Sequence, residues 1–184
     1  ITTFSRRDQA LAHPERAGVP MPGVQIRVVD DADNEVGFEV AGEIQVRSPA
    51  LMREYLFKPE ETAAAFTADG WFKSGDVAKM HDDGSISVVS RLKDMIISGG
   101  ANVYPSDIEN VVSLIPGVEE VAVVAGHHPR WDEVPVVIVK ATGTSESEIL
   151  DFCRSRLQKF AIPRGVIIVD EPLPKTASGK IHKP

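Results

Sequence analysis

The hydrophobic pattern of this 184-residue chain changes its repeat near Arg91, and no other feature constrains the fold as strongly. Before that point the apolar residues recur at every second position. Val24, Ile26 and Val28 alternate with Gln25 and Arg27, and Ile44 and Val46 alternate with Glu43, Gln45 and Arg47. That period belongs to strands with one buried face. Asp30 to Asn34 supplies a turn, and Asp82-Asp83-Gly84 reads as a hairpin turn before Ile86 and Val88. Pro59 to Phe66 reads as a short helix, with proline at its start and acids in its first turn. Residues 1–23, broken by Pro14, Pro20 and Pro22, read as irregular.

After Arg91 the two periods mix. Met95 to Ile97, Val121 to Ala125, Val134 to Val139 and Val166 to Val169 read as strands. Ser106-Asp-Ile-Glu109 and Ser145-Glu-Ser-Glu148 read as capping boxes. The first opens a helix with Ile108, Val111, Val112 and Ile115 on one face, and the second opens a helix reaching about Gln158. Strands and helices sharing a core predict an α+β fold, with a β-rich first part and a small α/β sandwich after it. Arg91, Lys93 and Asp94 interrupt the apolar pattern, which predicts domains 1–92 and 93–184.

Charge and cysteine usage exclude several classes. Acidic residues number 27 and basic ones 20, a formal net charge of −7. Nucleic-acid binders are more often basic, so no nucleic acid is expected as a partner. No apolar run reaches the length of a transmembrane segment, and no signal peptide opens the chain. The single cysteine, Cys153, cannot close an internal disulfide, which fits a cytoplasmic setting. It falls among Ile149, Leu150 and Leu157 at helical spacing and reads as core rather than nucleophile. Oligomerisation is left open. The chain starts at Ile1 without methionine and stops at Pro184 directly after a motif, so a piece of a longer protein is expected.

Three segments carry residue types suited to chemistry. Leu173 to Lys183 places Lys175 and Lys180 on a segment stiffened by Pro174 and loosened by Gly179. Such lysines can be delivered to a phosphate or carboxylate; a frayed basic tail is the alternative. Gly70 to Val77 projects Asp76 from a loop, where its carboxylate can accept bonds from neighbouring hydroxyls, or simply cap its own turn. Trp71 and Phe72 read as core. Arg91 to Gly100 combines a planar guanidinium fork with adjacent glycines, or forms a surface charge cluster and an ordinary glycine turn. His127-His128 lacks the partners of a usual metal spacing, and no metal site is expected. Gly179-Lys180 is not a strand-loop-helix phosphate loop, because position 174 is proline.

Taken in order, these blocks resemble the adenylate-forming superfamily of acyl-CoA synthetases, luciferases and peptide-synthetase adenylation domains, from about Arg16 to the end. Gly42 to Pro49, with Tyr55, Pro59, Thr62 and Phe66, is similar to the block before the family's ribose-binding motif. Gly70 to Val77 is similar to that motif, Ser90 to Glu109 to the hinge block, and Pro174 to Lys183 to the terminal lysine block. The resemblance implies that Asp76 and Arg91 bind the ribose of ATP. It implies that Lys93 is the hinge of a mobile lid domain, and that Lys180 contacts the carboxylate and α-phosphate during adenylation. Ser98, Gly99 and Gly100 would line the pantetheine path of CoA. The parent would join a carboxylic acid, of the fatty-acid type, to CoA at the expense of ATP, with Mg²⁺ carried on the nucleotide.

The chain departs from the family pattern at Ser74, where threonine is usual, and at Ser90 and Asp132, where glycine is usual. The family's phosphate loop and most of its acyl pocket lie upstream of these blocks, so this chain alone is expected to be inactive and the acyl length is not readable. An enzyme that loads a carrier protein ranks second, because Ser98 to Pro105 looks more like the CoA-using branch. A non-catalytic binding module ranks third.

Overall fold

The structure, a computed structural model, describes residues 2–183, and Ile1 and Pro184 lie outside the described residues. The chain divides into two compact units, Ile1–Lys93 and Asp94–Pro184.

The first unit is built on an antiparallel meander of β3 (Gln25–Val29), β4 (Ala41–Arg47), β5 (Phe72–Met80) and β6 (Ile86–Arg91), hydrogen-bonded in that order. Local chemistry sets its turns. The Asp30 carboxylate accepts the Ala32 and Asn34 N–H groups, each at 2.9 Å, and closes the β3–β4 connection. Gly84, with φ of +77°, turns the chain between β5 and β6, where the His81 N–H donates to the Ser85 carbonyl at 2.8 Å. Ile44, Ala78 and Ile86 form the buried centre, with Ile26 against them. Gln45 is fully buried, and its amide is satisfied by Arg27 Nε at 2.9 Å and Asp33 Oδ1 at 2.6 Å. Buried His81 is likewise engaged at both ring nitrogens, by Glu39 at 2.6 Å and Ser87 at 2.7 Å. Residues 1–23 are not wholly irregular. They hold α1 (Arg7–Ala12) and pair β1 (Thr3–Phe4) with β2 (Val19–Pro20). The short α2 (Pro59–Ala64) starts on its proline.

The second unit centres on β10 (Asp132–Ala141). It pairs antiparallel with β9 (Val118–His128), parallel with β11 (Gly165–Val169), and at Asp132 with Ser98 of β7 (Ile96–Ser98). A further strand, β8 (Ala101–Val103), pairs with β7. Val123, Val137 and Val166 share one register row and join one core cluster. Ile108 and Val112 of α3 (Pro105–Val112) and Ile149 and Cys153 of α4 (Glu146–Arg154) join the same cluster. Burial pushes the Cys153 thiol up, as suits a core residue.

The two expected helix starts behave differently. Ser145 and Glu148 make the reciprocal capping box, with the Glu148 carboxylate accepting the Ser145 N–H at 2.8 Å. At the other helix the capping box at Ser106 does not form. Pro105 takes the first helical position, so Tyr104 is the N-cap and supplies no side-chain cap. Glu109 is drawn instead to β9, where it accepts the Val123 N–H at 2.7 Å. Helix α4 also ends earlier than periodicity suggests, because Gln158 is extended at ψ 151°. Among the described residues no helix is long and apolar enough to cross a membrane.

Replacing Ile108, which has no solvent exposure, with alanine should cost about 2–5 kcal/mol, and Ser145→Ala about 1 kcal/mol. Urea unfolding followed at residues of the second unit checks both values and their order.

Candidate functional site

Strand register brings Asp76 and Arg91 together. They are Cα partners across β5 and β6, and Arg91 Nε lies 3.1 Å from Asp76 Oδ1. The side chains are 34% and 62% exposed, so the pair contributes little to stability. Its consequence is chemical: a carboxylate and a guanidinium are held side by side facing solvent, with Oδ2 left as an acceptor.

Asp76 lies within β5 and not on a loop. What re-aims it is a bulge. Gly75 has φ of +70°, and the β4–β5 register shifts between Glu43 and Gln45. A bulge leaves backbone groups without ladder partners, and two side chains supply them. The Ser74 hydroxyl donates to the Ile44 carbonyl at 2.7 Å and accepts the Asp76 N–H at 3.1 Å. The Glu43 carboxylate accepts the Gly75 N–H at 3.1 Å. Threonine would keep that hydroxyl, which is why serine is tolerated at position 74. Sequence reasoning missed Glu43, whose only signal is an acid next to Gly42 at the start of a strand. Just before the bulge, buried Trp71 lies beneath the Arg27 and Arg47 guanidiniums, at 4.5 and 4.6 Å from the ring centre.

Lys93 sits in a single 3-10 turn, Leu92–Asp94, where one compact unit gives way to the other. Ser98 ends β7, and Gly99 and Gly100 form the β7–β8 connection in the second unit. Gly99 and Gly100 have φ of +58° and +84°, the paired positive angles of a two-residue hairpin loop. Gly99 is constrained twice, because an added Cβ would lie 3.1 Å from Trp131 Cδ1. Ser98 and Gly99 line a cavity of about 290 Å³ with Trp131, Lys159 and Arg164, and Gly100 is not among its lining residues. The Trp131 ring stacks on His128 at 4.5 Å and carries the Arg164 guanidinium at 4.4 Å. Asp132 follows with φ of +64°, the backbone region where glycine is at ease.

The terminal segment is a closed hairpin rather than a frayed tail. Lys175 bridges to Ile181, the Thr176 N–H donates to the Lys180 carbonyl at 2.8 Å, and the His182 N–H to the Pro174 carbonyl at 2.8 Å. Gly179, with φ of +81°, allows the tight return. Glu120 of β9 accepts the Leu173 N–H at 2.7 Å and meets Lys175 Nζ at 2.5 Å. The Lys175 hydrogen bond, helped by that N–H, holds the Glu120 carboxyl below the ordinary glutamate range. The tie is therefore intact at neutral pH and is lost only as acidification passes through that lowered value. Lys183 Nζ lies 2.6 Å from Glu109 Oε1. Lys180 is exposed on the turn and has no carboxylate partner among the described residues.

Ser74→Ala removes two of the three side-chain hydrogen bonds that hold the bulge and leaves the one to Glu43. Amide exchange at Asp76, followed by NMR, should speed up, and stability should fall by about 1–3 kcal/mol. Ser74→Thr should leave the exchange rate nearly unchanged.

The sequence model of the AMP-binding enzyme C-terminal domain matches residues 107–180, and that of the AMP-binding enzyme matches residues 1–56. The chain is 43% identical over 144 residues to long-chain-fatty-acid–CoA ligase FadD13 of Mycobacterium tuberculosis, covering 77% of this chain and 28% of that protein. It is 45% identical over 170 residues to feruloyl-CoA synthase of an Amycolatopsis species, covering 91% of this chain and 34% of that protein. Among solved structures, o-succinylbenzoate CoA synthetase of Bacillus subtilis with its acyl-adenylate intermediate superposes with a TM-score of 0.89 at 30% identity. That match covers 98% of this chain and 37% of that one. The chain thus spans about a third of the length of the proteins it matches.

Proposed function

This chain belongs to the AMP-binding, adenylate-forming enzymes, and from that premise we propose that it is the C-terminal part of an acyl-CoA synthetase. The parent would activate a carboxylic acid with ATP and pass the acyl group to CoA. In the first step a carboxylate oxygen attacks the α-phosphorus of ATP, and the bond to pyrophosphate breaks. In the second the CoA sulfur attacks the acyl carbonyl, the thiol proton leaves, and AMP departs.

The observation that carries this reading is the terminal hairpin. Lys175 and Lys183 are each paired with a glutamate, while Lys180 is presented at the turn. Carboxylate and ATP are both anionic, so their approach needs a cation aimed at the charge that develops between them. Lys180 supplies it. Asp76 accepts from the ribose hydroxyls, and Arg91 orients Asp76 and adds donors of its own. Ser98 and Gly99 border the route of the pantetheine arm, with Lys159 and Arg164 lending positive charge suited to the phosphates of CoA. Mg²⁺ would arrive on ATP, and a structure of the Bacillus subtilis synthetase is a complex with ATP and magnesium ion. Lys93 serves as the hinge on which the second unit turns between the two steps. A fatty acid is the first acid to test, given the likeness to FadD13, and a feruloyl-type aromatic acid the second. This chain by itself is taken to be inactive.

In the parent enzyme Lys180→Ala should lower acyl-adenylate formation by about 100-fold or more, the scale for one lost preorganised charge contact. Thioester formation from supplied acyl-adenylate should be largely spared. Pyrophosphate release and acyl-CoA formation, assayed separately, check this, and an equal fall in both would remove Lys180 from the proposed role.

Lys93→Pro fixes φ and removes an N–H between the two cores. The parent should still fold and form adenylate, but should lose thioester formation. Normal rates for both steps would show that no hinge operates at Lys93.

A further inference from the structure

The cations of the terminal hairpin are sorted by two glutamates, Glu120, which lies in no motif, and Glu109, which the sequence offers only as a helix-capping residue. At the hairpin's entry one carboxylate holds both backbone and side chain, since Glu120 takes the Leu173 N–H on Oε2 and the Lys175 ammonium on Oε1. Leu173 itself is buried, which fixes the segment where the hairpin begins. At the exit, Glu109 Oε1 takes the Lys183 ammonium and also the Val123 N–H, tying the hairpin to α3 and β9 together. Fully exposed ion pairs count for little, but the Glu120 and Glu109 side chains are only 18% and 22% exposed. Both anchors sit on elements of the hydrophobic core, through Val123 on β9 and Ile108 and Val112 on α3.

We propose that Glu120 and Glu109 are positioning residues for Lys180, clamping the two ends of the hairpin so that its turn presents one cation in one place. The proposal rests on the adenylation role read for Lys180 above. Two consequences follow from the geometry. First, neutralising Lys175 and Lys183 leaves Lys180 as the hairpin lysine free to meet an anion. Second, a hairpin closed at both ends loses less freedom when Lys180 engages the reacting groups, and holding a group in place is worth rate. Neither glutamate touches substrate in this account; each acts through the hairpin.

The test compares Lys180→Ala, Glu120→Gln, the double variant Glu120→Gln with Glu109→Gln, and the charge swap Glu120→Lys with Lys175→Glu in the parent enzyme. Glu120→Gln should lower kcat for pyrophosphate release by about 10- to 100-fold, the scale of a misplaced catalytic group. KM for ATP and thioester formation from supplied acyl-adenylate should stay near their starting values. The double variant should lose more, and the charge swap, which restores the ion pair but supplies no acceptor for the Leu173 N–H, should recover part of the lost kcat. If Lys180→Ala abolishes adenylation while the double variant keeps full kcat, the clamp is overturned and the role of Lys180 stands. If Lys180→Ala spares adenylation, that role falls and the clamp's purpose with it. Should the parent variants fold poorly, hydrogen exchange on this chain decides. Glu120→Gln should unprotect the Leu173, Thr176 and His182 amides while the β9–β10 amides keep their protection. Equal loss across the second unit would make Glu120 a general stabiliser and overturn the proposal.

Discussion

The second unit depends on the burial of one strand. β10 is paired on both edges, by β9 and by β11, and Val137 and Val139 are fully buried. Every group with a proposed role in this unit is placed with reference to it. Its first residue, Asp132, pairs with Ser98 and so fixes the end of the glycine connection. The residue before it, Trp131, walls the adjoining cavity. Its long partner β9 carries Glu120, which holds the terminal hairpin. A strand hydrogen-bonded on both sides and packed beneath two helices is a rigid reference, and positioning of reacting groups requires one.

Unit one solves a similar problem in reverse. There the sheet is regular except where function would need it not to be. Gly75 breaks the β4–β5 ladder, Ser74 and Glu43 take over the freed backbone groups, and Asp76 comes to lie beside Arg91. Bulges of this kind turn a side chain without unfolding the sheet. Gln45 and His81 inside the unit are matched at both polar ends, whereas the Asp76–Arg91 pair is partly exposed to solvent.

What sequence makes legible here is what local chemistry decides. The alternation at Ile26 and Val28 and at Ile44 and Val46 marks β3 and β4, and the Ser145 box marks α4, because each signal lies within one turn or one pleat. The adenylate-forming family is legible too, from blocks in a fixed order. Other features depend on partners far along the chain. The Ser106 box has the right residues, but Pro105 starts the helix and Glu109 bonds to Val123 instead. β1 and β2 are two residues each and exist only by pairing with one another. Asp76 and Arg91 are picked out as residue types, whereas their adjacency comes from register and the loop expected for Asp76 is a bulged strand. Glu120 lies 53 positions from Leu173, and no periodicity connects them.

The central claim is that the terminal hairpin consumes two of its lysines and presents the third. Lysine reactivity reads this directly on the chain as it is. Trace labelling with an acylating reagent at neutral pH, quantified per residue by mass spectrometry, should modify Lys180 several-fold faster than Lys175 and Lys183, whose amines are held by Glu120 and Glu109. Denaturant should abolish the difference. Equal labelling of the three lysines in the folded chain, or slower labelling of Lys180, would contradict the account.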